Sequence, residues 1–231
     1  GLGDVYKRQV LAGTVPSGFE ESFARFVKEK RAEGRILQEG GRLTITVYGK
    51  SAHAMEPNNG VNAGLILAEF LHTQSLDRTG LHFVQTVSGA FAGDTRGKKI
   101  GIDCRDDISG ELTLNVGRLQ YEQEKGGEAH INIRYPVTEE SGRVKSGLSQ
   151  IQGASLISFK DSKPHHVAKD HELIKTLQRV YEEQTGETAE LISIGGATYA
   201  RSLKAGVAFG PLFPGRPDVC LLYTSPSPRD R

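Results

Sequence analysis

Three short segments alternate apolar and polar residues, and this alternation constrains the fold more than any other feature of the chain. They are RLTITVYG at 42–49, ELTLNVGRL at 111–119 and EAHINIRYP at 128–136. A period of two residues is typical of a β-strand with one buried face. Helical spacing of apolar residues at 60–73 and 139–151, followed by a strand pattern at 155–160, completes the order β-α-β-β-α-β. This order predicts a ferredoxin-like unit.

The connection at 74–110 is too long for that unit alone, since loops without secondary structure rarely exceed about 12–15 residues. Within it, LHFVQTVSGAF at 81–91 is mostly apolar. Such a run would promote aggregation if it were exposed to water. We therefore expect this insertion to pack against the ferredoxin-like unit.

A second α/β pattern follows the predicted ferredoxin-like unit. The spacing of apolar residues predicts an amphipathic helix at 171–184, capped by Asp170 and ended by Gly186. LISIGG then predicts a strand that enters a glycine turn, followed by a helix at 197–204 and a strand at VAFG.

The two ends of the chain are predicted to be foreign to the protein. Residues 1–9 and 220–230 can both be encoded by one DNA element read in opposite orientations, which resembles a translated sequencing-library adapter. We therefore assign 1–9 and 220–231 to an adapter-derived artefact and exclude them from fold reasoning. The remainder divides into a ferredoxin-like domain at 10–163 and a truncated α/β part at 164–219.

Composition excludes several classes of protein. With 231 residues, 37% hydrophobic content and a formal net charge of +1, the chain is typical of a globular protein and not of a disordered one. No apolar stretch reaches the roughly 18 residues of a transmembrane helix, and no basic stripe indicates nucleic-acid binding. Without the adapter residue Cys220, the single cysteine is Cys104, which favours a reducing, cytoplasmic compartment.

The sequence lacks the glycine-rich nucleotide-binding motifs, the zincin motif and the nucleophile motif of α/β-hydrolases. One histidine cluster, His165, His166 and His171, suggests a metal site at first sight. Adjacent side chains of an extended segment point to opposite faces, however, so His165 and His166 would not converge on one ion. We expect these histidines to be structural or solvent-exposed, because metal sites require convergent ligands.

Three places carry candidate chemistry, although each also has a purely structural interpretation. His53 lies where a strand runs into a turn, and it is either a surface histidine or a functional one. Arg134 lies on the polar face of its strand, where it is either solvated or a clamp for a carboxylate. Gly195 and Gly196 either shape a turn or offer backbone N–H groups to an anion.

Together these segments resemble one superfamily of metallopeptidases. The run G-K-S-A-H-A-x-x-P-x-x-G-V-N-A at 49–63 resembles the lid-domain histidine motif of the dinuclear-zinc aminoacylase, carnosinase and dipeptidase superfamily. GELTLNVGRL, INIRYP, IGGATYAR and GVAFGPLFPGRPD narrow the resemblance to the PepV-type (Sapep-type) dipeptidases. The resemblance spans nearly all of 10–219.

The resemblance implies that 10–163 is a lid over a zinc-binding α/β catalytic domain, of which 164–219 is a part. His53 matches the lid histidine that stabilises the oxyanion, and Arg134 matches an arginine that holds the C-terminal carboxylate of the substrate. Gly195 and Gly196 match a glycine turn of the same pocket, with Ala197 where the family usually has a third glycine. Two zinc ions, or manganese, would act in the intact enzyme. The family's metal ligands lie outside this chain, so no metal ligand is assigned here.

The sequence therefore predicts a fragment of a cytoplasmic, zinc-dependent dipeptidase that hydrolyses dipeptides with a free C-terminal carboxylate and that is inactive by itself. The alternatives are an N-acyl-amino-acid hydrolase or deacetylase of the same superfamily and a non-catalytic ferredoxin-like binding module. Simpler relatives pair two lids into a dimer, and the insertion at 81–91 would cover that surface. We therefore expect the intact enzyme to be a monomer, with a dipeptide as its substrate and no nucleic-acid or membrane partner.

Overall fold

The computed structural model describes residues 6–12, 17–196 and 198–209, with the backbone alone for 6–12. The chain divides into two compact units. Among the described residues, the larger unit comprises 6–12, 17–166 and 192–196, and the smaller unit comprises 167–191 and 198–209. No helix among the described residues is long and apolar enough to cross a membrane.

The structure is mixed α/β, with five helices and short strands among the described residues. The strands are β1 (Tyr6–Ala12), β2 (Glu33–Glu39), β3 (Arg42–Tyr48), β4 (Arg105–Asp106), β5 (Gly110–Glu111), β6 (Thr113–Glu122) and β7 (Gly126–Arg134). The helices of the larger unit are α1 (Phe19–Glu29), α2 (Ala63–His72), α3 (Arg78–Phe91) and α4 (Ser141–Ser149), with a 3₁₀ turn at Pro57–Asn59. The smaller unit contains α5 (Glu172–Thr185) and a 3₁₀ turn at Tyr199–Ser202.

The strands form three small antiparallel sheets. β3 lies between β1 and β2, β4 pairs with β5, and β6 pairs with β7. β6 keeps the predicted alternation, because Leu114 and Val116 are buried whereas Asn115 between them is only half-buried. The register with β7 shifts between Val116 and Arg118, so that Gly117 has no partner in the described ladder.

Aromatic side chains of α1 and α2 form the centre of one part of the core. The ring of Phe70 on α2 lies 5.4 Å from that of Phe19 and 5.0 Å from that of Phe23, both in edge-to-face geometry. Such pairs contribute beyond the area they bury. A Cβ atom at Gly34 of β2 would lie 2.6 Å from the Phe23 ring, so glycine is required there for α1 to pack on the sheet.

The apolar insertion forms a helix, α3, and packs on the larger unit as predicted. Asp77 caps it by accepting hydrogen bonds from the N–H groups of Thr79 (3.0 Å) and Gly80 (2.9 Å). Its buried hydrophobic side chains include Val84, Val87 and Phe91. Phe83 stacks on Tyr121 of β6 at 5.3 Å between ring centroids. The long connection is therefore part of the core and not a surface loop.

The predicted ferredoxin-like unit needs a correction at its last strand. Residues 155–160 form no strand. The chain just beyond them is held by a side chain, because the Tyr135 hydroxyl donates to Asp161 Oδ1 at 2.7 Å. Burial, together with this carboxylate, raises the pKa of Tyr135 to about 12. Since β3 pairs with β1 and β2, the described residues do not form the single sheet of a ferredoxin-like fold.

The pattern at 171–184 is confirmed as α5, which ends at Gly186 in the left-handed conformation with φ 71°. Its N-cap is His171 and not Asp170, because His171 Nδ1 accepts from the Leu173 N–H at 3.1 Å. The strands predicted at LISIGG and at 207–209 are not formed. The helix predicted at 197–204 is reduced to the 3₁₀ turn, and Ala197 and the last residue of VAFG lie outside the described residues.

Candidate functional site

His53 lies on a loop that two backbone hydrogen bonds close at its base. Lys50 and Val61 form an isolated antiparallel bridge, with N–O distances of 3.0 Å and 2.9 Å. Gly49 and Gly60 flank this bridge, and a Cβ atom at Gly60 would lie 2.8 Å from Ala52 Cβ. Glycine therefore allows the two ends of the loop to approach closely. We call residues 51–60 the His53 loop.

The imidazole of His53 is exposed, and its orientation is set by the turn that follows it. Its Nδ1 accepts a hydrogen bond from the Met55 N–H at 3.3 Å, while its carbonyl oxygen accepts from the Glu56 N–H at 2.9 Å. A backbone N–H can only donate, so Nδ1 carries no proton in this arrangement. The neutral ring therefore carries its proton on Nε2, which makes Nε2 the donor available to a ligand.

The base of the His53 loop is bound to the free edge of β6. Asn62 caps α2 by accepting from the Leu65 N–H (3.1 Å) and donates from Nδ2 to the Val116 carbonyl (2.8 Å). The Thr95 hydroxyl donates to Asn58 Oδ1, and the Thr95 carbonyl accepts from the Leu114 N–H at 2.8 Å. The loop is thus positioned against the strand pair that carries Arg134.

Arg134 is half-buried at the end of β7, and its Nε donates to Asn132 Oδ1 at 3.4 Å. Burial lowers the pKa of its guanidinium, which remains charged at neutral pH. Thr113 is its partner in the ladder, and the buried Thr113 Oγ1 has no hydrogen-bond partner among the described residues. Asn115 pairs with Asn132, so both amides share the polar face with Arg134. The alternation of ELTLNVGRL could have identified Asn115 as a candidate before the structure.

A shallow pocket connects the His53 loop with this polar face. Ala52, which precedes His53, lines one side of it, and Asn115 and Arg118 line the other. Its cavity volume is about 30 Å³. The structure therefore brings residues of the His53 loop and of β6, the partner of the Arg134 strand, to one pocket.

The glycine turn also lies against the His53 loop, within the larger unit. A Cβ atom at Gly195 would lie 2.7 Å from Met55 Cβ, whereas one at Gly196 would be 3.8 Å from Met55 Sδ. Only glycine at 195 permits this close approach. Met55 supplies the N–H that orients His53, so Gly195 packs beside the residue that fixes the imidazole.

We next consider whether the described residues could bind a metal ion. Among the described residues, no three His, Cys, Asp or Glu side chains are arranged to hold a metal ion. His171 acts as a helix cap, as described above. The described residues therefore do not provide a ligand set for the zinc ions that the sequence resemblance implies.

The known proteins that this chain resembles in sequence share one name, that of a dipeptidase. Over 209 residues the chain is 57% identical to a Bacillus subtilis (strain 168) protein named "Putative dipeptidase YtjP". It is 39% identical over 202 residues to a protein of Staphylococcus saprophyticus, and 36% identical over 220 residues to one of Staphylococcus epidermidis, both named in the same way. This chain is their homologue. No protein-family profile matches it.

The matches cover most of this chain but less than half of each relative. They include 90%, 86% and 94% of the chain, against 45%, 43% and 47% of the respective relatives. The chain therefore spans about half the length of the curated relatives it matches.

Proposed function

We propose that this chain is the substrate-positioning part of a zinc-dependent dipeptidase. The observation that carries the proposal is that the segments which carry His53 and Arg134 meet at one pocket. The loop of one and the strand pair of the other border one pocket, in a homologue of proteins named as dipeptidases. A donor for an oxyanion and a clamp for a carboxylate are the two groups needed to position a dipeptide for hydrolysis.

Arg134 binds the C-terminal carboxylate of the substrate. Its planar guanidinium offers paired donors, which suit a carboxylate better than an ammonium group would. Partial burial strengthens this ion pair because water screens it less than at an open surface. The requirement for a free carboxylate separates a dipeptidase from a peptidase that acts within long chains.

His53 stabilises the negative charge that develops on the carbonyl oxygen. The Met55 N–H occupies Nδ1, so Nε2 of the neutral ring carries the proton and is the donor available to substrate. The turn holds the imidazole before substrate arrives, so little reorganisation is needed in the transition state. The zinc ions, bound by residues beyond those described here, would supply Lewis-acid activation of the carbonyl and of water.

The test is a chimera in which residues 10–219 replace the matching segment of the Bacillus subtilis relative. We expect the chimera to hydrolyse Ala-Leu in a zinc-dependent manner and the 231-residue chain to be inactive. His53→Ala should lower turnover by about 100-fold without loss of bound zinc, as for removal of one oxyanion donor. His72→Ala, which removes an exposed histidine on α2, is the matched control.

Three results would contradict the proposal. Faster hydrolysis of N-acetyl-leucine than of Ala-Leu would indicate an acyl-amino-acid hydrolase. A chimera that folds and binds zinc but hydrolyses neither substrate would favour a non-catalytic module. Loss of zinc in the His53→Ala variant would make His53 a metal ligand and not an oxyanion donor.

A further inference from the structure

The pocket between the His53 loop and β6 has a positive character that the proposed function does not use. Lys50 and Arg118 both line it, and none of its lining residues is acidic. Lys50 forms no ion pair with any residue that the structure describes. Within the part of the chain that the structure describes, Arg118 donates to a neutral group, Gln120 Oε1, at 2.5 Å.

One carboxylate on the polar face of β7 contacts another side chain. Glu128 lies on the same face of β7 as His130, the ladder partner of Arg118, and its Oε1 is 3.2 Å from His130 Nε2. Glu128 is not among the residues that line the pocket. Two cations without a facing acid make a site that favours an anion.

The size of the pocket limits what the anion can be. A single water requires about 10–15 Å³ of comparable volume. The cavity volume of about 30 Å³ therefore admits a group of a few atoms, such as a carboxylate, and excludes an aromatic ring. The half-buried Asn115 amide adds a neutral donor to the lining.

The pocket is adjacent to Arg134. Asn115 lines the pocket and pairs with Asn132, and opposite residues of this kind have Cβ atoms about 4.5–5.5 Å apart. Arg134 Nε donates to Asn132 Oδ1 at 3.4 Å, so the guanidinium is connected to the pocket lining through this pair of amides. Two neighbouring anion sites suit a ligand with two carboxylates joined by a short aliphatic chain.

We propose that the pocket formed by Lys50, Arg118 and Asn115 binds the side-chain carboxylate of an aspartate or glutamate whose α-carboxylate is held by Arg134. The substrate class is then dipeptides with an acidic C-terminal residue. This substrate assignment rests on the proposed dipeptidase function, whereas the binding of a dicarboxylic amino acid does not.

The first experiment uses the 231-residue chain itself and follows backbone amide resonances by NMR during titration with L-glutamate. We expect shifts at Asn115 and Arg118 that L-glutamine fails to reproduce. Lys50→Met and Arg118→Met should each weaken glutamate binding by about tenfold or more, since each removes a charge-assisted interaction. Lys98→Met and Arg25→Met, at exposed positions outside the pocket, are matched controls.

The second experiment compares Ala-Glu with Ala-Gln as substrates of the chimera. We expect kcat/KM to favour Ala-Glu by about tenfold or more, and Lys50→Met to abolish that preference. Glutamate binding in a chimera that hydrolyses no dipeptide would overturn the proposed function and uphold the pocket.

Other results would contradict the assignment of the pocket as a carboxylate-binding site. Equal binding of glutamate and glutamine, or equal binding of inorganic phosphate and glutamate, would overturn it. So would glutamate binding that survives in both the Lys50→Met and the Arg118→Met variants.

Discussion

The His53 imidazole is fixed by its own turn and not by a buried partner. Its Nδ1 accepts from the Met55 N–H two residues ahead, and the Gly195 backbone packs against Met55. An exposed histidine normally exchanges between two neutral tautomers. Here the backbone selects one of them before any substrate is bound.

The selected tautomer can be observed directly. In the 231-residue chain at a pH where His53 is neutral, we expect long-range ¹⁵N–¹H spectra to show the proton on Nε2, because Nδ1 is an acceptor. His72, for which the structure records no such hydrogen bond, serves as the reference. A His53 ring protonated on Nδ1 would contradict the geometry and remove the proposed donor.

At this scale the sequence identified functional candidates but not their partners. The motif around His53 and the polar side of INIRYP singled out His53 and Arg134. The roles of Met55 and Asn115 depend on a turn and on a strand register, and these become visible only in three dimensions. Asp170 failed as a helix cap for a similar reason, since His171 at the next position satisfies the same orphan N–H groups.

At the scale of elements, one carboxylate holds the β4–β5 turn and the end of β7 together. Asp106 Oδ1 accepts from the Ile108 and Gly110 N–H groups, and Asp106 Oδ2 accepts from the Thr138 N–H and hydroxyl. Burial alone would raise the pKa of Asp106. Hydrogen bonds from Ser109 and Thr138 outweigh it and hold the pKa well below the usual range of a carboxyl group.

Replacement of Asp106 is therefore expected to reduce the stability of the folded chain. Asp106→Ala should lower the free energy of unfolding by about 2 kcal/mol at pH 7, the scale for hydrogen bonds to a charged group. Asp107→Ala, at the exposed neighbouring carboxylate, should change it by less than about 0.5 kcal/mol. Denaturant unfolding of both variants gives the comparison.

The contribution of Asp106 to the free energy of unfolding is expected to decrease as the pH falls. Because the folded pKa of Asp106 is depressed, its stabilisation is present above the unfolded value of about 3.9 and is lost as the pH falls through the folded pKa. The difference between wild type and Asp106→Ala should shrink as the pH falls below about 4. A difference that grows on acidification would contradict this account.

The elements that the sequence predicted best are those in which the spacing of apolar residues shows which face is buried. β6, β7 and α5 follow from periodicity because one face of each is apolar. The pattern at 155–160 forms no strand. Periodicity indicates which face of a segment is apolar, but it does not show whether the segment pairs with another strand. The helical state of 81–91 depends on the cap at Asp77 and on packing against the core.

At the scale of the whole molecule, the packing of α3 reduces the apolar surface that is available for association with a second copy of the chain. Val84, Val87 and Phe91 are buried within the larger unit, and Phe83 covers part of β6. A surface that its own chain covers is not free to pair with a second copy. We therefore expect the complete enzyme to be a monomer.

Light scattering on the chimera during size-exclusion chromatography tests this expectation. A mass of one subunit, constant over a wide range of loading concentrations, is the expected result. A stable mass of two subunits would contradict it. Restored activity on mixing His53→Ala with a variant defective in zinc binding would do the same, since it would require the two sites to come from different chains.

The central claim is that Arg134 holds the free carboxylate of a dipeptide at the pocket beside His53. The direct measurement is kcat/KM of the chimera for Ala-Leu and for its C-terminal amide, with and without Arg134→Met. Arg25→Met, at an exposed position of α1, is the control. We expect Arg134→Met to lower kcat/KM for Ala-Leu by about 100-fold, the scale for loss of one partner of a desolvated ion pair, and to leave the amide unchanged. Equal losses for both substrates, or no loss for either, would contradict the account.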